Sequence, residues 1–101
     1  MAIWITEFGR MPFTKGLTGR DHNTGTLVTL LVEAGIKGGT ADSESDEFSY
    51  LAAKDKTTCY DLQTTASHLR GNNHEKVAVR HNGIHRRLTD VPGRVVHKIL
   101  A

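Results

Sequence analysis

Residues 26–33 read TLVTLLVE, and this near-continuous apolar run decides the predicted fold. The run is short and β-branched, which favours a strand over a helix. Apolar residues without alternation are typical of a strand that is buried on both faces of a parallel sheet. Residues 2–6, AIWIT, predict a second short buried strand. Together the two runs predict an α/β protein with a mostly parallel sheet.

The segments around these runs are rich in turn-forming and polar residues. Residues 7–25 contain four glycines and a proline, which predict a long irregular loop. Loops of that length without secondary structure of their own are usually functional or disordered. Residues 40–56, TADSESDEFSYLAAKDK, predict a second loop with one helical turn.

A helix is predicted over residues 61–70. Asp61 is a favourable N-cap and Gly71 a natural C′ residue, and apolar residues recur between them at helical spacing. These are Leu62, Ala66 and Leu69. Cys59, just before the helix, has no partner pattern for catalysis and is predicted to be a small buried residue. His68 is predicted to be a partly exposed helix histidine.

The C-terminal third predicts a hairpin and a short helix. The dipeptide Asn82-Gly83 within VAVRHNGIHRRL suits a type I′ turn, which needs positive φ at both central residues. Apolar residues on one helical face then predict a short C-terminal helix. They are Val95, Val96, Ile99 and Leu100.

Composition excludes several classes of protein. The 101 residues suffice for one small domain, and the single cysteine excludes an internal disulfide. No apolar run approaches the roughly 18 residues of a membrane-spanning helix. The opening MAIWITEFGR lacks the regions of a signal peptide, and the location of the protein stays open. Residues 1–69 carry six Lys/Arg against nine Asp/Glu, whereas residues 70–101 carry seven against two. This basic third either meets an anionic partner or is a solvated face.

Asp21 and His22, within GRDHNTG at residues 19–25, are the candidate metal ligands. A carboxylate and an imidazole suit zinc, manganese or iron, and a loop can turn both toward one ion. A site needs three or four ligands, and the other candidates show neither zinc-finger spacing nor an H-E-x-x-H motif. Those candidates are Glu7, Asp46, Glu47, Cys59, His68, His74, His81 and His85. From the residues alone, the pair is either half of a metal site or a polar turn.

Arg10 and Arg20 flank the Gly-rich loop that leads to Asp21 and His22. Guanidinium groups suit planar or tetrahedral oxyanions, and beside a metal they would suit a phosphate or sulfate ester. The alternative is two local ion pairs, Arg10 with Glu7 and Arg20 with Asp21.

The segment IWITEFGRMPFTKGLTGRDHN resembles the W-x-T-E-F-G-R-x-P … G-R-D-H core of the domain-of-unknown-function family 1501. This is a sulfatase-like bacterial family placed in the alkaline phosphatase superfamily. The resemblance continues in order through GIKGG, DEFSY, DLQTTASHL, HEKVAVRHNG and RRLTDVPGRVV. It therefore covers essentially the whole chain.

The resemblance implies a large α/β enzyme with one or two divalent metals at the carboxyl ends of parallel strands. In such enzymes a serine, threonine or modified cysteine typically attacks a phosphate or sulfate ester. Asp21 and His22 look like the superfamily's late metal-binding pair. Arg10 and Arg20 then become oxyanion contacts, and the supporting residues are Glu7 and Asn23.

The resemblance also covers the predicted helix, where Asp61 and Thr65 match a D-x-x-x-T motif. The departures are equally informative, because this chain corresponds only to the C-terminal part of the family. The early segment with the first metal ligands and the nucleophile is absent. Family members often carry histidines near the helix start where this chain has Thr58, Tyr60 and Gln63. Catalysis by this chain alone is therefore not expected.

We expect a partial alkaline-phosphatase-like or sulfatase-like α/β fold over residues 1–101. Strands and the metal loop would occupy residues 1–58, and the helix, hairpin and C-terminal helix residues 59–101. The expected function is the C-terminal portion of a metallohydrolase for a sulfate or phosphate ester. Its cofactor would be a divalent metal, either zinc, manganese, magnesium or calcium.

The alternative is a small non-catalytic module that binds an anionic partner through its basic C-terminal third. Nucleic acid is a disfavoured partner because residues 70–101 contain no Phe, Tyr or Trp on which bases could stack. No membrane partner is expected. Exposed edges of the predicted sheet would favour self-association.

Overall fold

A computed structural model describes residues 1–87 and 93–101 of the chain. In chain order its elements are β1 (Ala2–Arg10), β2 (His22–Val32), β3 (Glu44–Ser45), β4 (Ala52–Lys54), α1 (Cys59–Leu69), β5 (Ala78–His81), β6 (Ile84–Arg87) and a 3₁₀ helix (His97–Ile99). The chain divides into two compact units, Met1–Lys56 with Ala101, and Thr57–Leu100. Residues 88–92, which include most of the RRLTDV motif, lie outside the described residues.

The sheets are antiparallel, which corrects the predicted α/β class. In the described part of the chain, the strands form three separate two-stranded sheets, β1–β2, β3–β4 and β5–β6. A parallel pair needs a crossover connection of a dozen or more residues, usually helical. The segment between β1 and β2 instead folds back directly, so that Ala2 lies opposite Val32 and Arg10 opposite His22. The prediction of a partial alkaline-phosphatase-like fold with a parallel sheet is therefore wrong.

The predicted loop over residues 7–25 is strand at both of its ends. β1 continues to Arg10 and β2 already begins at His22, so only residues 11–21 connect them. Inside this connection, the Lys15 N–H donates to the Gly19 carbonyl at 2.8 Å, and the two residues form an isolated β-bridge. Gly16 supplies the positive φ of 68° that the reversal requires.

Residues 46–51 form a tight turn around one carboxylate instead of the predicted helical turn. Asp46 accepts hydrogen bonds from the Tyr50 N–H at 2.7 Å and the Leu51 N–H at 3.2 Å. Its own N–H donates to the Leu51 carbonyl at 2.8 Å. Aspartate favours such turns because its short side chain can bond to nearby backbone donors. The short strands β3 and β4 pair on either side of this turn.

The predicted helix is confirmed as α1, with a different N-cap. The cap is Thr58, whose hydroxyl accepts from the Asp61 N–H, while the Asp61 carboxylate accepts from the Thr58 N–H at 2.8 Å. This reciprocal arrangement is a capping box with Asp61 at position N3. Gly71 follows the C-cap with a φ of 76°, as predicted, and its N–H donates to the His68 carbonyl at 2.9 Å.

The hairpin prediction is confirmed, because β5 and β6 are joined by Asn82 (φ 49°) and Gly83 (φ 79°). The C-terminal helix prediction holds only for one turn. His97–Ile99 is a 3₁₀ helix, and its N-cap Val96 has no side-chain cap hydrogen bond. Without capping side chains, so short a helix does not extend.

Burial in this protein is polar rather than apolar. Among residues 1–87 and 93–101, no hydrophobic side chain is buried. The buried residues are Asn23, Asp61, Thr64 and Thr65. No helix within the described ranges is long and apolar enough to cross a membrane. Each unit is therefore held by a few buried hydrogen-bonding groups, and much of its apolar surface stays exposed.

Candidate metal and oxyanion site

Three of the predicted site residues lie together at the end of the β1–β2 hairpin that carries the connection, and we call them the Glu7–Arg10–His22 cluster. The Arg10 Nη2 donates to the Glu7 Oε1 at 2.7 Å, and the His22 Nε2 lies 3.9 Å from the same oxygen. Arg10 and His22 are direct cross-strand partners, so their side chains emerge on one face of the sheet. All three side chains are half exposed or more, which leaves them accessible to a ligand.

A bulge in β1 brings Glu7 to this cluster. In a regular strand, residues three apart point to opposite faces, so Glu7 and Arg10 could not meet. The register of β1 against β2 shifts between Ile5 and Phe8 and again between Phe8 and Gly9. Such bulges re-aim side chains and are common beside functional sites. The sequence signal for this irregularity is Gly9, where an added Cβ would collide with the side chain of Thr26.

Asp21 lies at the same end of the hairpin but has a different partner. Its carboxylate contacts the Lys15 Nζ at 2.7 Å through Oδ2 and at 3.0 Å through Oδ1. Arg20 does not form the alternative ion pair with Asp21, and its Nη1 donates to the Met11 carbonyl at 3.4 Å. The Arg10–Glu7 pair of that alternative is present. The structure thus places Asp21 and His22 on separate partners, and Lys15 is a neighbour that the sequence reasoning missed.

Asn23 supports the site by fixing the start of β2. It is 2% exposed, its Nδ2 donates to the Tyr50 carbonyl at 2.7 Å, and its Oδ1 accepts from the Gly25 N–H at 2.9 Å. A Cβ on Gly25 would lie 2.6 Å from the Leu51 Cδ2 and 3.1 Å from the Tyr50 carbonyl, so glycine at residue 25 eases the close approach of the 46–51 turn. Asn23 is therefore a positioning residue that holds the backbone next to His22.

The cluster offers a cation two donors, the Glu7 carboxylate and the His22 imidazole. No three His, Cys, Asp or Glu side chains converge as metal ligands within residues 1–87 and 93–101. A structural zinc site needs four such ligands, whereas Mg²⁺ and similar hard cations keep several waters and use one or two carboxylates. The two donors present are too few to enclose a cation, and water or a bound ligand would have to supply its remaining coordination positions. Binding would require the Arg10 guanidinium to leave the shared Glu7 oxygen.

Asp61 and Thr65, the other motif residues, have a structural role. The Asp61 Oδ1 accepts from the Arg94 N–H at 2.8 Å, and the Thr65 Oγ1 accepts from the Val96 N–H at 3.0 Å. The Thr65 hydroxyl also donates to the Asp61 carbonyl at 2.7 Å. The D-x-x-x-T motif thus holds the backbone of Arg94 and Val96 against α1.

The charge of Asp61 is stabilised in the folded protein. Burial acts to raise the pKa of its carboxyl group. The hydrogen bonds from the Arg94 and Thr58 N–H groups and the Thr58 hydroxyl, together with the Arg94 charge, outweigh burial and lower the pKa below its ordinary value of 3.8. Asp61 is therefore an ionised capping residue at neutral pH.

The remaining candidate residues do not assemble into a site. Cys59 is exposed, which corrects the prediction that it is buried. His68 lies at the exposed end of α1, as predicted, with its ring edge-on to His97 at 5.8 Å between centroids. His85 pairs with Arg80, and His81 pairs with Ile84. Strand alternation then places the two hairpin histidines on opposite faces.

The described residues thus define a small antiparallel β protein with one capped helix and an exposed cluster of acidic, basic and imidazole groups. The chain matches the family described as Protein of unknown function (DUF1501) over residues 1–100. It belongs to that family, as the sequence resemblance indicated. None of the curated proteins and none of the solved structures matches it.

Proposed function

We propose that this chain binds a sulfate or phosphate ester through a divalent cation and two arginines. In this proposal it is the C-terminal portion of a metallohydrolase related to the sulfatase-like enzymes of the alkaline phosphatase superfamily. The observation that carries the proposal is the Glu7–Arg10–His22 cluster. Its three side chains share one face, and all remain accessible. The proposal depends on these three side chains and on the sequence motifs. It does not depend on a parallel sheet, because the antiparallel hairpin holds the side chains.

Each residue of the site has a defined part. His22 and Glu7 would hold the cation, and Asp21 would join them once it separates from Lys15. A bound divalent cation would act as a Lewis acid on the ester oxygen. Arg10 carries five N–H donors in a planar fork and would contact the oxyanion when released from Glu7. Arg20 would supply a second guanidinium from the same connection.

The same site lacks a nucleophile with a positioned base. His22 is the imidazole of the cluster, and its contact is with the Glu7 carboxylate rather than with a hydroxyl or thiol. Nucleophilic catalysis requires the nucleophile and base within hydrogen-bond reach. The proposed activity of this chain is therefore ligand binding, and turnover would require groups from another polypeptide segment.

Calorimetric titration of the whole chain with inorganic phosphate and sulfate tests the proposal. We expect binding in the presence of Mn²⁺ or Mg²⁺ that weakens roughly tenfold or more in His22→Ala and in Arg10→Gln, as expected when a ligand or its partner is removed. Arg86→Gln, at an exposed arginine on β6, is the control and should bind as the wild type does. Equal phosphate binding without metal, or unchanged binding in His22→Ala, would refute the proposed site.

A second candidate function has its own observation, a basic face on the β5–β6 hairpin. Arg80 pairs with His85, and Arg87 lies two residues along the same face. No acidic residue occurs within residues 78–87, and every residue of both strands is exposed. This face could bind a polyanion as a non-catalytic module.

Salt dependence distinguishes this candidate from the metal site. If Arg80 and Arg87 each neutralise one phosphate, the logarithm of the affinity for an oligonucleotide should fall with the logarithm of salt concentration, with a slope of about −1.5. The double variant Arg80→Gln/Arg87→Gln should remove that slope, whereas Arg10→Gln should leave it intact. A flat response to salt in the wild-type chain would eliminate the polyanion candidate.

A further inference from the structure

One face of the β1–β2 hairpin is apolar and exposed at the end where Ala2 pairs with Val32. Trp4 lies opposite Leu30, and Ala2 opposite Val32. Strand alternation adds Val28 to the same side. The exposed fractions are 72% for Trp4, 59% for Leu30, 70% for Val32 and 62% for Val28. We call Trp4, Val28, Leu30 and Val32, with Ala2, the apolar face.

Within residues 1–87 and 93–101, no other segment covers this face. No hydrophobic side chain is buried in the described ranges, so the apolar face is not the edge of a larger core. Soluble proteins rarely expose contiguous apolar patches of more than a few hundred Å² unless these serve an interaction. The surface of a hairpin that is apolar on one face normally packs against another layer.

We infer that the apolar face of the β1–β2 hairpin packs against the same face of a second copy of this chain. The face carries no charged side chain, and its one hydrogen-bonding group is the Trp4 indole N–H, so two copies can meet without like-charge contacts. Glu7 and Arg10, the nearest charged residues on β1, already neutralise each other at 2.7 Å. Two twisted sheets stack face to face at about 10 Å, a spacing filled by side chains of this size.

The extent of the face sets the strength of the contact. A fully exposed tryptophan can bury about 200 Å² and an aliphatic side chain about 100 Å². With the exposed fractions above, each copy would bury roughly 350–400 Å² of apolar surface. The resulting total of about 750 Å² lies below the roughly 1,200–2,000 Å² of stable specific interfaces and in the range of weak, transient contacts. The dimer should therefore be weak and should form in the micromolar range or above.

Trp4 makes this contact measurable, since it is the single tryptophan of the chain. Sedimentation of the whole chain over a concentration series should show a monomer–dimer equilibrium. Trp4 emission should shift to shorter wavelength as the dimer forms, because its ring loses contact with water. Leu30→Asp should raise the dissociation constant at least tenfold, because it buries an unpaired charge.

Ile5→Asp is the matched control. Ile5 lies opposite Thr29 on the other face of the same hairpin and is 55% exposed, close to the 59% of Leu30. It should change the dissociation constant by less than about twofold, as expected for a site outside the contact. Trp4→Thr, which keeps a strand-forming residue, should also weaken the dimer by sedimentation and covers the case in which Leu30→Asp does not fold.

Three results would overturn the inference. The first is a wild-type chain that stays monomeric at all concentrations. The second is short-wavelength Trp4 emission that does not depend on concentration. The third is an equal loss of association in Leu30→Asp and Ile5→Asp, which would indicate pairing through strand edges or nonspecific aggregation.

Discussion

Replacement of Asp61 by asparagine should destabilise the helical unit by about 2–4 kcal/mol at neutral pH. Asparagine keeps one side-chain oxygen, so it cannot accept from both the Thr58 and the Arg94 N–H groups, each now bound at 2.8 Å. The donor left facing the new amide costs about 1–3 kcal/mol as an unsatisfied buried group. Loss of the charge weakens the remaining bond, since hydrogen bonds to charged groups contribute about 1.5–3 kcal/mol. The sum is a large part of the free energy of unfolding of a typical domain, which is about 5–15 kcal/mol.

The effect should depend on pH in a defined direction. The pKa of Asp61 is lowered in the folded protein, so the unfolded chain binds a proton at a higher pH than the folded chain. The stabilisation by its charge is therefore complete well above pH ~4, the unfolded value, and is lost as pH falls through the folded pKa. The difference between wild type and Asp61→Asn should accordingly shrink in acid, where both side chains are neutral.

Urea unfolding followed by circular dichroism at the helix band measures this effect at a series of pH values. Glu75→Gln removes one negative charge from the same unit at an exposed position, and it should change the free energy of unfolding by less than about 0.5 kcal/mol. If Asp61→Asn costs no more than Glu75→Gln, or if its cost is unchanged at low pH, the role assigned to the buried carboxylate is wrong.

Three further predictions concern residues that determine the local course of the backbone. Asn23→Ala removes the bond to the Tyr50 carbonyl and should lower the free energy of unfolding by about 2 kcal/mol in urea titrations. Gly93→Ala places a methyl group against the Thr64 side chain and should cost about 1–3 kcal/mol, whereas Gly38→Ala, in open space, should not. Asn82→Ala retains a φ of 49° at a cost of about 1 kcal/mol, which should speed amide exchange in β5 and β6.

The elements that could be predicted from sequence are those determined by local contacts. The α1 helix depends on the capping interaction between Thr58 and Asp61, and the β5–β6 hairpin on the positive φ of Asn82 and Gly83. Each signal acts within about four residues. Even there the N-cap is Thr58 and not the predicted Asp61. Both are good N-cap residues, and the chain uses them reciprocally in one capping box.

The pairing of β1 with β2 could not be predicted from the apolar runs. An apolar run shows that a strand forms, but it contains no information on whether the partner is parallel or antiparallel. That direction is set by the connection, where Lys15 bridges to Gly19 and Gly16 adopts positive φ. The bulge near Gly9 is likewise non-local, since it depends on the position of Thr26 in the paired strand.

The sequence analysis named the residues of the candidate site, but it did not predict which of them contact each other. His22 and Arg10 are brought together because they are cross-strand partners, a relation that exists only in the antiparallel register. Asp21 is the last residue of the connection, where Lys15 can reach it. Because β2 begins at His22, Asp21 and His22 are adjacent in sequence but have different partners.

The Asp61 and Glu7 carboxylates differ in how many of their oxygens already accept hydrogen bonds. This difference decides which of the two can still bind a ligand. Both oxygens of the Asp61 carboxylate accept backbone N–H groups, and its side chain is 8% exposed. A ligand there would have to break the cap of α1 and release the segment at Arg94. The Glu7 carboxylate is 60% exposed and is contacted by Arg10 and His22 through one oxygen. A ligand there needs to displace only one exposed guanidinium, whose ion pair contributes about 0–1 kcal/mol, so we propose ligand binding at Glu7 and not at Asp61.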